Sequence, residues 1–523
     1  MYLAPVLFEN MKTEDWFKIK KYPHIGNPFN ISDYLRVKDY VTNKENIRKH
    51  SFLPFIHKKI VARKFRPDDK IKLRNPSGKW RRIIIKPKER DIHYATHWDA
   101  MVFSFYNTLL VEKYENKIKL EPFNSSVVAY RKIPVHPGSK KNKCNIDFAK
   151  SSFEFIRNNN NKELTVIVAD ITKFFNNLNH KKLKKSWYRL LDRETLPPDH
   201  YNLFKALTRL RYVEANQLFK SYNKTMRVQR SEPYNSRKQV IKRVPIKYQA
   251  FFKEKNAISF CTKKEFVKNN LNLIISKSDT KGIPQGTAIS ATLANIYMWD
   301  FDVYIHEEIE KLGGFYQRYS DDLIIVCESK YEDEVLAKLR TRIAGVEKLE
   351  IQVEKTKVYR FNKRSGQFRG FEIDEKTKVV NLNRTLEYLG FSFDGQRVLI
   401  KTNGFSKYYR GMKRSIRKST SLALNSKNKD KRIFKSRLYK RLTFKGAKRR
   451  RIYLPSKTDP TKYDRPENRY YWGNYLSYIY KANDTMRSIN GDDSIKRQGR
   501  RFWNKFHLFL KPHEERVKKR FQN

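Results

Sequence analysis

Residues 314–327, GFYQRYSDDLIIVC, decide how the rest of the chain is read. Phe315–Tyr319 run into Ser320-Asp321-Asp322, and 323–326 are an apolar run rich in β-branched residues. That pattern predicts two strands with an acidic pair at the turn between them. Two carboxylates held on a rigid turn suit a hard cation such as Mg²⁺, which takes oxygen ligands. Taken alone, the pair reads more readily as a solvated hairpin tip. A third acid changes the balance. Residues 164–169, LTVIVA, are long enough for a buried strand and too short for a buried helix, and Asp170 closes them. Asp170 also suits a helix N-cap after a strand, and both readings can hold together. If its strand lies beside the hairpin, three carboxylates converge and repel one another unless cations neutralise them. Two metals roughly 3.5–4 Å apart are the usual arrangement for in-line displacement at phosphorus.

Between these acids lies KGIPQGTAIS, 281–290, where two glycines and a proline predict a tight turn that lets backbone approach a ligand closely. A helical stretch follows, with Leu293, Ile296, Tyr297 and Phe301 at near-helical spacing. Read alone, PQG is a turn before a helix; read in the order Asp170, GIPQG, YSDD, it is specific. The chain resembles reverse transcriptases of the bacterial retroelement lineage, the kin of group II intron and retron enzymes. The matching pieces are VADITKFFNNLNH (168–180), KGIPQGTAISATLANIYMWDFD (281–302), RYSDDLIIV (318–326), LEIQVEKTK (349–357) and LEYLGFSF (386–393). An Ala129-Tyr130-Arg131 element stands where such enzymes have G-[FY]-R, and it resembles the defence-associated, abortive-infection branch.

The resemblance implies an α+β right-hand polymerase with fingers, a palm of antiparallel sheet plus helices, and a helical basic thumb. It places an N-terminal extension at 1–57, fingers at 58–163, a palm at 164–393 with a basic insert at about 205–280, and thumb plus C-terminal region at 394–523. The implied activity is RNA-directed DNA synthesis: deoxynucleotides are added to a primer 3′ end with two Mg²⁺ ions, Mn²⁺ being an alternative. Asp170, Ile171, Asp321 and Asp322 are the implied metal-site residues, with Asp170, Asp321, Asp322 and Lys355 catalytic. Lys355 is the implied proton donor to pyrophosphate. Nucleotide contacts fall on Lys79 and Arg81 (triphosphate), Phe175 (a bulky residue that excludes a ribose 2′-OH), Gln285 and Gly286. An Arg fork suits phosphate through paired hydrogen bonds, though a solvated basic turn reads equally well at 79–81. Of Phe174 and Phe175, one is expected in the core. Primer contacts fall on Tyr319 and Ser320 and on the hairpin turn Leu389-Gly390.

Composition agrees with a nucleic-acid partner. The 523 residues carry 113 Lys and Arg against 54 Asp and Glu, a formal net charge of +59. Phosphate backbones are the natural counter-charge, and such binding is steeply salt-dependent. Residues 401–523 alone hold 36 Lys and Arg against nine Asp and Glu. Helices are expected around 92–114, 408–425, 430–445, 470–488 and 494–511. The aromatic residues Tyr470, Tyr471, Trp472, Phe502, Trp503 and Phe506 argue for burial rather than disorder there. The segment 211–249, basic and aromatic, reads as an inserted nucleic-acid contact, a partner surface or a solvated insert alike. No apolar run reaches the length of a membrane span, and no signal peptide is expected. The three cysteines, Cys144, Cys261 and Cys327, are widely spaced and read as reduced thiols. The expected partners are an RNA template, specifically a dedicated noncoding RNA, a DNA primer or product, and dNTPs. No membrane partner is expected, a homo-oligomer is left open, and the expected setting is the bacterial cytoplasm with a role in phage defence. The competing readings are a retron or intron-type enzyme, a template-independent DNA polymerase and a non-catalytic RNA-binding scaffold.

Overall fold

Strand Leu164–Asp170 lies inside a six-stranded sheet, with both edges taken. It pairs antiparallel with Asp322–Glu328 on one side and with Lys357–Arg364 on the other. Phe315–Tyr319 lies outside Asp322–Glu328, and Gln367–Ile373 and Val380–Asn381 complete the other flank. The computed structural model describes residues 13–67, 82–231, 239–346, 348–352, 355–374, 377–425, 432–454, 456, 458–459, 463–471 and 473–522. The chain divides into two units: Met1–Tyr130, Ile171–Ile305 and Lys338–Ile351 form one; Arg131–Asp170, His306–Ala337 and Gln352–Asn523 form the other.

The sheet belongs wholly to the second unit. Side chains alternate across a strand, so Val166, Val326 and Tyr359, opposite one another in register, share one face. That face is buried with Ile146, Ala149, Phe153 and Ile156 of helix Asn145–Asn158. The same core takes in the small sheet Leu386–Tyr388, Phe391–Phe393 and Val398–Ile400, and helix Tyr475–Asn490. Phe153 and Phe393 stack with ring centroids 5.0 Å apart. At the end of the sheet away from the acids, Glu332 is buried and accepts hydrogen bonds from Thr165 (3.0 Å), Arg360 (2.7 Å) and Lys378 (3.1 Å). These contacts bind the sheet to the helix that Glu332 opens.

Past residue 400 the helices run Thr402–Leu424, Lys435–Leu442, Tyr475–Asn490, Ser494–Gln498 and Phe502–Gln522. Met412, Ile416, Leu438, Phe506 and Leu510 form their second core. The expected helix at 470–488 begins later. Tyr470 and Tyr471 belong instead to a two-stranded ribbon, Arg450–Leu454 with Arg465–Tyr471. Tyr471 is 66% exposed, so of the aromatic residues invoked for burial it is Phe502 and Phe506 that supply the core. Trp472 lies outside the described residues.

In the first unit, Phe55–Pro67 and Arg82–Tyr94 form a long antiparallel hairpin, and Arg211–Glu214 lies parallel to the former. The helix expected at 92–114 spans His97–Ile118; residues 92–94 still belong to the strand. Thr96 sets its start by accepting the Asp99 N–H at 3.1 Å. The insert is a folded layer. Strands Thr225–Ser231, Gln239–Pro245 and Ala257–Cys261 pair with one another and with His24–Ile25. Its core holds Leu218, Phe219, Met226, Phe260 and Phe266. Cys261 and Cys327 are buried free thiols and Cys144 is a partly exposed one.

Candidate active site

The hairpin register puts Tyr319 opposite Asp322, leaving Ser320 and Asp321 as a two-residue loop. Such loops fit the twist of a hairpin when the first residue has positive φ. Ser320 has φ +63° and is buried. A non-glycine residue held there costs of order 1–3 kcal/mol and persists only where its surroundings enforce it. Arg318, fully buried, is one such restraint: its Nη1 donates to the Ser320 carbonyl at 3.2 Å.

In the neighbouring register Asp322 lies directly opposite Asp170, so these two side chains leave the sheet on the same face. Asp321 follows from the turn. Burial raises its pKa above the usual carboxylate value, and the Asp170 carboxylate beside it raises it further. Asp322 is pushed to about 6, first by loss of hydration and then by the charges of Asp321 and Asp170. Lys355 and Lys401 act in the opposite sense. Asp322 is crowded by protein yet open to solvent, and water screens the charges around it. Lys355 Nζ is ion-paired with Asp170 Oδ2, its own side chain 50% exposed and that of Asp170 15%. The second unit therefore brings together Asp170, Asp321, Asp322 and Lys355 from three separate stretches of sequence.

The donors are all hard oxygens, as Mg²⁺ requires, and their mutual repulsion is what a bound cation would relieve. As they stand they do not close round one ion: among the described residues no group of three or more His, Cys, Asp or Glu is placed to hold a metal. The Lys355 ammonium, on an exposed and movable side chain, occupies one oxygen of Asp170. Ile171 has a buried apolar side chain, which leaves only its carbonyl oxygen as a ligand.

The hairpin after Tyr388 turns through Leu389 (φ +42°) and Gly390 (φ +93°). Two consecutive positive φ values make the narrowest strand reversal. Asn145 Nδ2 donates to the Leu389 carbonyl at 3.0 Å and the Lys401 N–H to that of Gly390 at 3.1 Å. Tyr319 faces the ring of Phe148, centroids 6.2 Å apart. The sequence assigns no role to Asn145, Arg318 or Lys401; a polar side chain that ties down a turn leaves no spacing signature.

In the first unit the chain reverses after Asp170 through Lys173 (φ +43°) into a short helix, Phe174–Asn177. Phe174 is buried and Phe175 partly exposed, so one of the pair is core as expected, although helix and not strand separates them. The 281–286 turn packs onto this helix. Ile283 N–H donates to the Phe175 carbonyl at 2.9 Å, and a Cβ on Gly282 would stand 2.8 Å from the Asn176 carbonyl oxygen. His93 N–H bonds the Gln285 carbonyl at 2.9 Å. Gly286 (φ +129°) leaves 2.7 Å between a would-be Cβ and the His93 carbonyl oxygen. Phe175, Gln285 and Gly286 are thus held together by backbone. Gln285 and Asn176 line a cavity of about 580 Å³ with Lys277 and Lys281. On its wall the His57 ring lies between Asp91 (3.0 Å) and Glu214 (2.7 Å), a link made by residues far apart in sequence. Lys79 and Arg81 lie outside the described residues.

The mixed helix-and-sheet architecture, with its acids at one end of an antiparallel sheet, is consistent with a right-hand polymerase fold. Residues 244–393 match the family model described as reverse transcriptase (RNA-dependent DNA polymerase). That stretch includes Gln285, Gly286, Tyr319, Ser320, Asp321, Asp322, Lys355, Leu389 and Gly390; Asp170 and Phe175 precede it. Solved structures similar to the chain include an apo telomerase from Candida tropicalis truncated from its C-terminal domain (TM-score 0.33, 12% identity, 68% of this chain and 61% of that one). Another is an apo telomerase from the same organism (TM-score 0.36, 12% identity, 74% and 58%). A third is a Candida albicans telomerase in complex with a TWJ fragment of telomeric RNA (TM-score 0.36, 11% identity, 95% and 68%). The chain spans about three-fifths of the length of the first two. No curated protein matches it.

Proposed function

We propose that the chain as a whole is an RNA-directed DNA polymerase that extends a primer 3′ end with deoxynucleotides. The single observation that carries this reading is the Asp170–Asp322 pairing with Asp321 at the adjoining turn. Asp170, Asp321 and Asp322, with the Ile171 carbonyl, would hold two Mg²⁺ ions, or Mn²⁺ in their place. When bound, such ions lower the pKa of the attacking hydroxyl and stabilise charge on the leaving oxygen. The chain's own part is mostly positioning. Tyr319 and Ser320 form the floor under the primer end, and the Leu389-Gly390 turn holds its backbone. Phe175 excludes a 2′-OH, Gln285 and Gly286 border the sugar, and Lys79 and Arg81 grip the triphosphate. The primer 3′ hydroxyl gives up its proton to solvent as its oxygen attacks the α-phosphorus, the bond to the bridging oxygen breaks, and Lys355 gives a proton to the departing pyrophosphate. Lys355 must first leave Asp170, which its exposed side chain permits.

The AYR element supports the finer reading: a bacterial retroelement-type enzyme of the abortive-infection branch, acting in the cytoplasm in phage defence with a dedicated noncoding RNA. The large positive charge fits such an RNA. The test is primer extension on a defined RNA template with one dNTP omitted at a time. Products whose sequence follows the template, absent with Asp321→Asn, support the reading; products of arbitrary sequence would make the enzyme template-independent. For the partner, RNA recovered with the purified chain should be one discrete species; a random population would refute the dedicated RNA.

A further inference from the structure

Beside the Leu389-Gly390 turn, within the second unit, lies a cavity of about 650 Å³ with no assigned role. Its cationic side chains are Lys407, Arg441 and Lys401, the last ion-paired with Glu387 at 2.7 Å, and among the described residues no carboxylate lines it. Its aromatic wall is Tyr408, Tyr475 and Tyr478. Tyr475 and Tyr478 lie nearly parallel, 15° between planes and 5.9 Å between centroids, and Tyr408 stands 5.0 Å from Tyr475. The hydroxyls of Tyr408 and Tyr475 are shut off from solvent with no hydrogen-bond partner among the described residues. Burial pushes the Tyr475 hydroxyl up to about 12 and that of Tyr408 higher still, so both stay protonated and able to donate. Gly404 gives Tyr475 its place: a Cβ there would stand 2.4 Å from the hydroxyl oxygen. Gly411, a helical turn or two further along, would put a Cβ into open space.

We infer that this cavity is a second nucleotide-binding site, lined by none of the three acids, which takes one nucleoside phosphate with its base on the tyrosines and its phosphate toward Lys407 and Arg441. Aromatic faces with flanking cations are what unpaired nucleotides bind to, and the volume lies in the range of small-ligand sites. The nucleotide comes either free from solution or as an unpaired unit of a strand passing the Leu389-Gly390 turn. The inference does not depend on the polymerase reading, because it is tested by binding alone.

The full chain carrying Asp321→Asn is titrated with a fluorescent deoxynucleoside monophosphate and, separately, with a short labelled single-stranded DNA. Gly411→Leu fills the cavity and Gly411→Ala is its control. Gly411→Leu is expected to weaken at least one probe about tenfold, as loss of a stacked base does, with Gly411→Ala unchanged. Loss confined to the monophosphate assigns a free nucleotide; loss confined to the oligonucleotide assigns a strand. Lys407→Ala with Arg441→Ala, both surface changes, should weaken the same probe and flatten its salt dependence. Unchanged affinity for both probes in the Gly411→Leu and the double variant overturns the site.

Discussion

Replacing Asp322 with Asn should make the metal-free protein more stable while it destroys extension. The Asp322 carboxyl is raised from an ordinary 3.8 to about 6 by lost hydration and by Asp321 and Asp170. At about 1.4 kcal/mol per pH unit, the ionised form costs the fold at most about 3 kcal/mol. Asp322 is solvent-exposed, and screening reduces this to about 1 kcal/mol. The sign follows from linkage. A carboxyl whose pKa is higher folded than unfolded holds its proton longer in the folded state. The penalty is absent below about pH 4, grows as pH rises through about 6, and stays constant above. Thermal unfolding in EDTA should therefore show Asp322→Asn melting about 1 °C above the parent at pH 8, with the gap closing by pH 4. Added Mg²⁺ should reverse the order, because only the parent recovers the lost stability on binding. A variant that melts below the parent at pH 8 without metal would refute the reasoning, for it would show that the acids are not in net repulsion.

Asp321→Asn should lower the extension rate by about 10³-fold, the several kcal/mol that metal-assisted displacement supplies, as read by single-turnover primer extension. Glu332→Gln should destabilise by about 2 kcal/mol in urea unfolding, since it leaves Arg360 and Lys378 facing a neutral partner. Burial alone would raise the Glu332 pKa, but the bonds from Arg360, Lys378 and Thr165 outweigh it and hold it below its ordinary 4.5, so this contribution is fully present above that value and is lost as pH falls below it. Gly286→Ala should cost about 1–3 kcal/mol in thermal unfolding, from its positive φ and the clash with the His93 carbonyl.

The acids were legible because strand chemistry announces itself: LTVIVA closes on Asp170, and LIIV follows the acidic turn. What no spacing reveals is which strands are neighbours, and here the Asp170–Asp322 register supplies it. The 470–488 helix was misplaced because Tyr470 and Tyr471 fit an amphipathic helix and a strand alike, and the ribbon partner Arg450–Leu454 lies beyond a loop. The late start of helix His97–Ile118 had a readable signal in Thr96 with Asp99 three residues on. The folded insert had none, since its sheet recruits His24–Ile25 from more than 200 residues away. The Lys355–Asp170 ion pair joins two motifs each read separately.

The most direct test of the central claim is Mn²⁺ binding followed by electron paramagnetic resonance, with primer, template and a non-hydrolysable dNTP present. The account predicts two bound ions in the parent and fewer in Asp170→Asn, and again in Asp321→Asn, although the two residues come from separate stretches of chain. Binding that either substitution leaves untouched would contradict a shared metal centre, and with it the polymerase assignment.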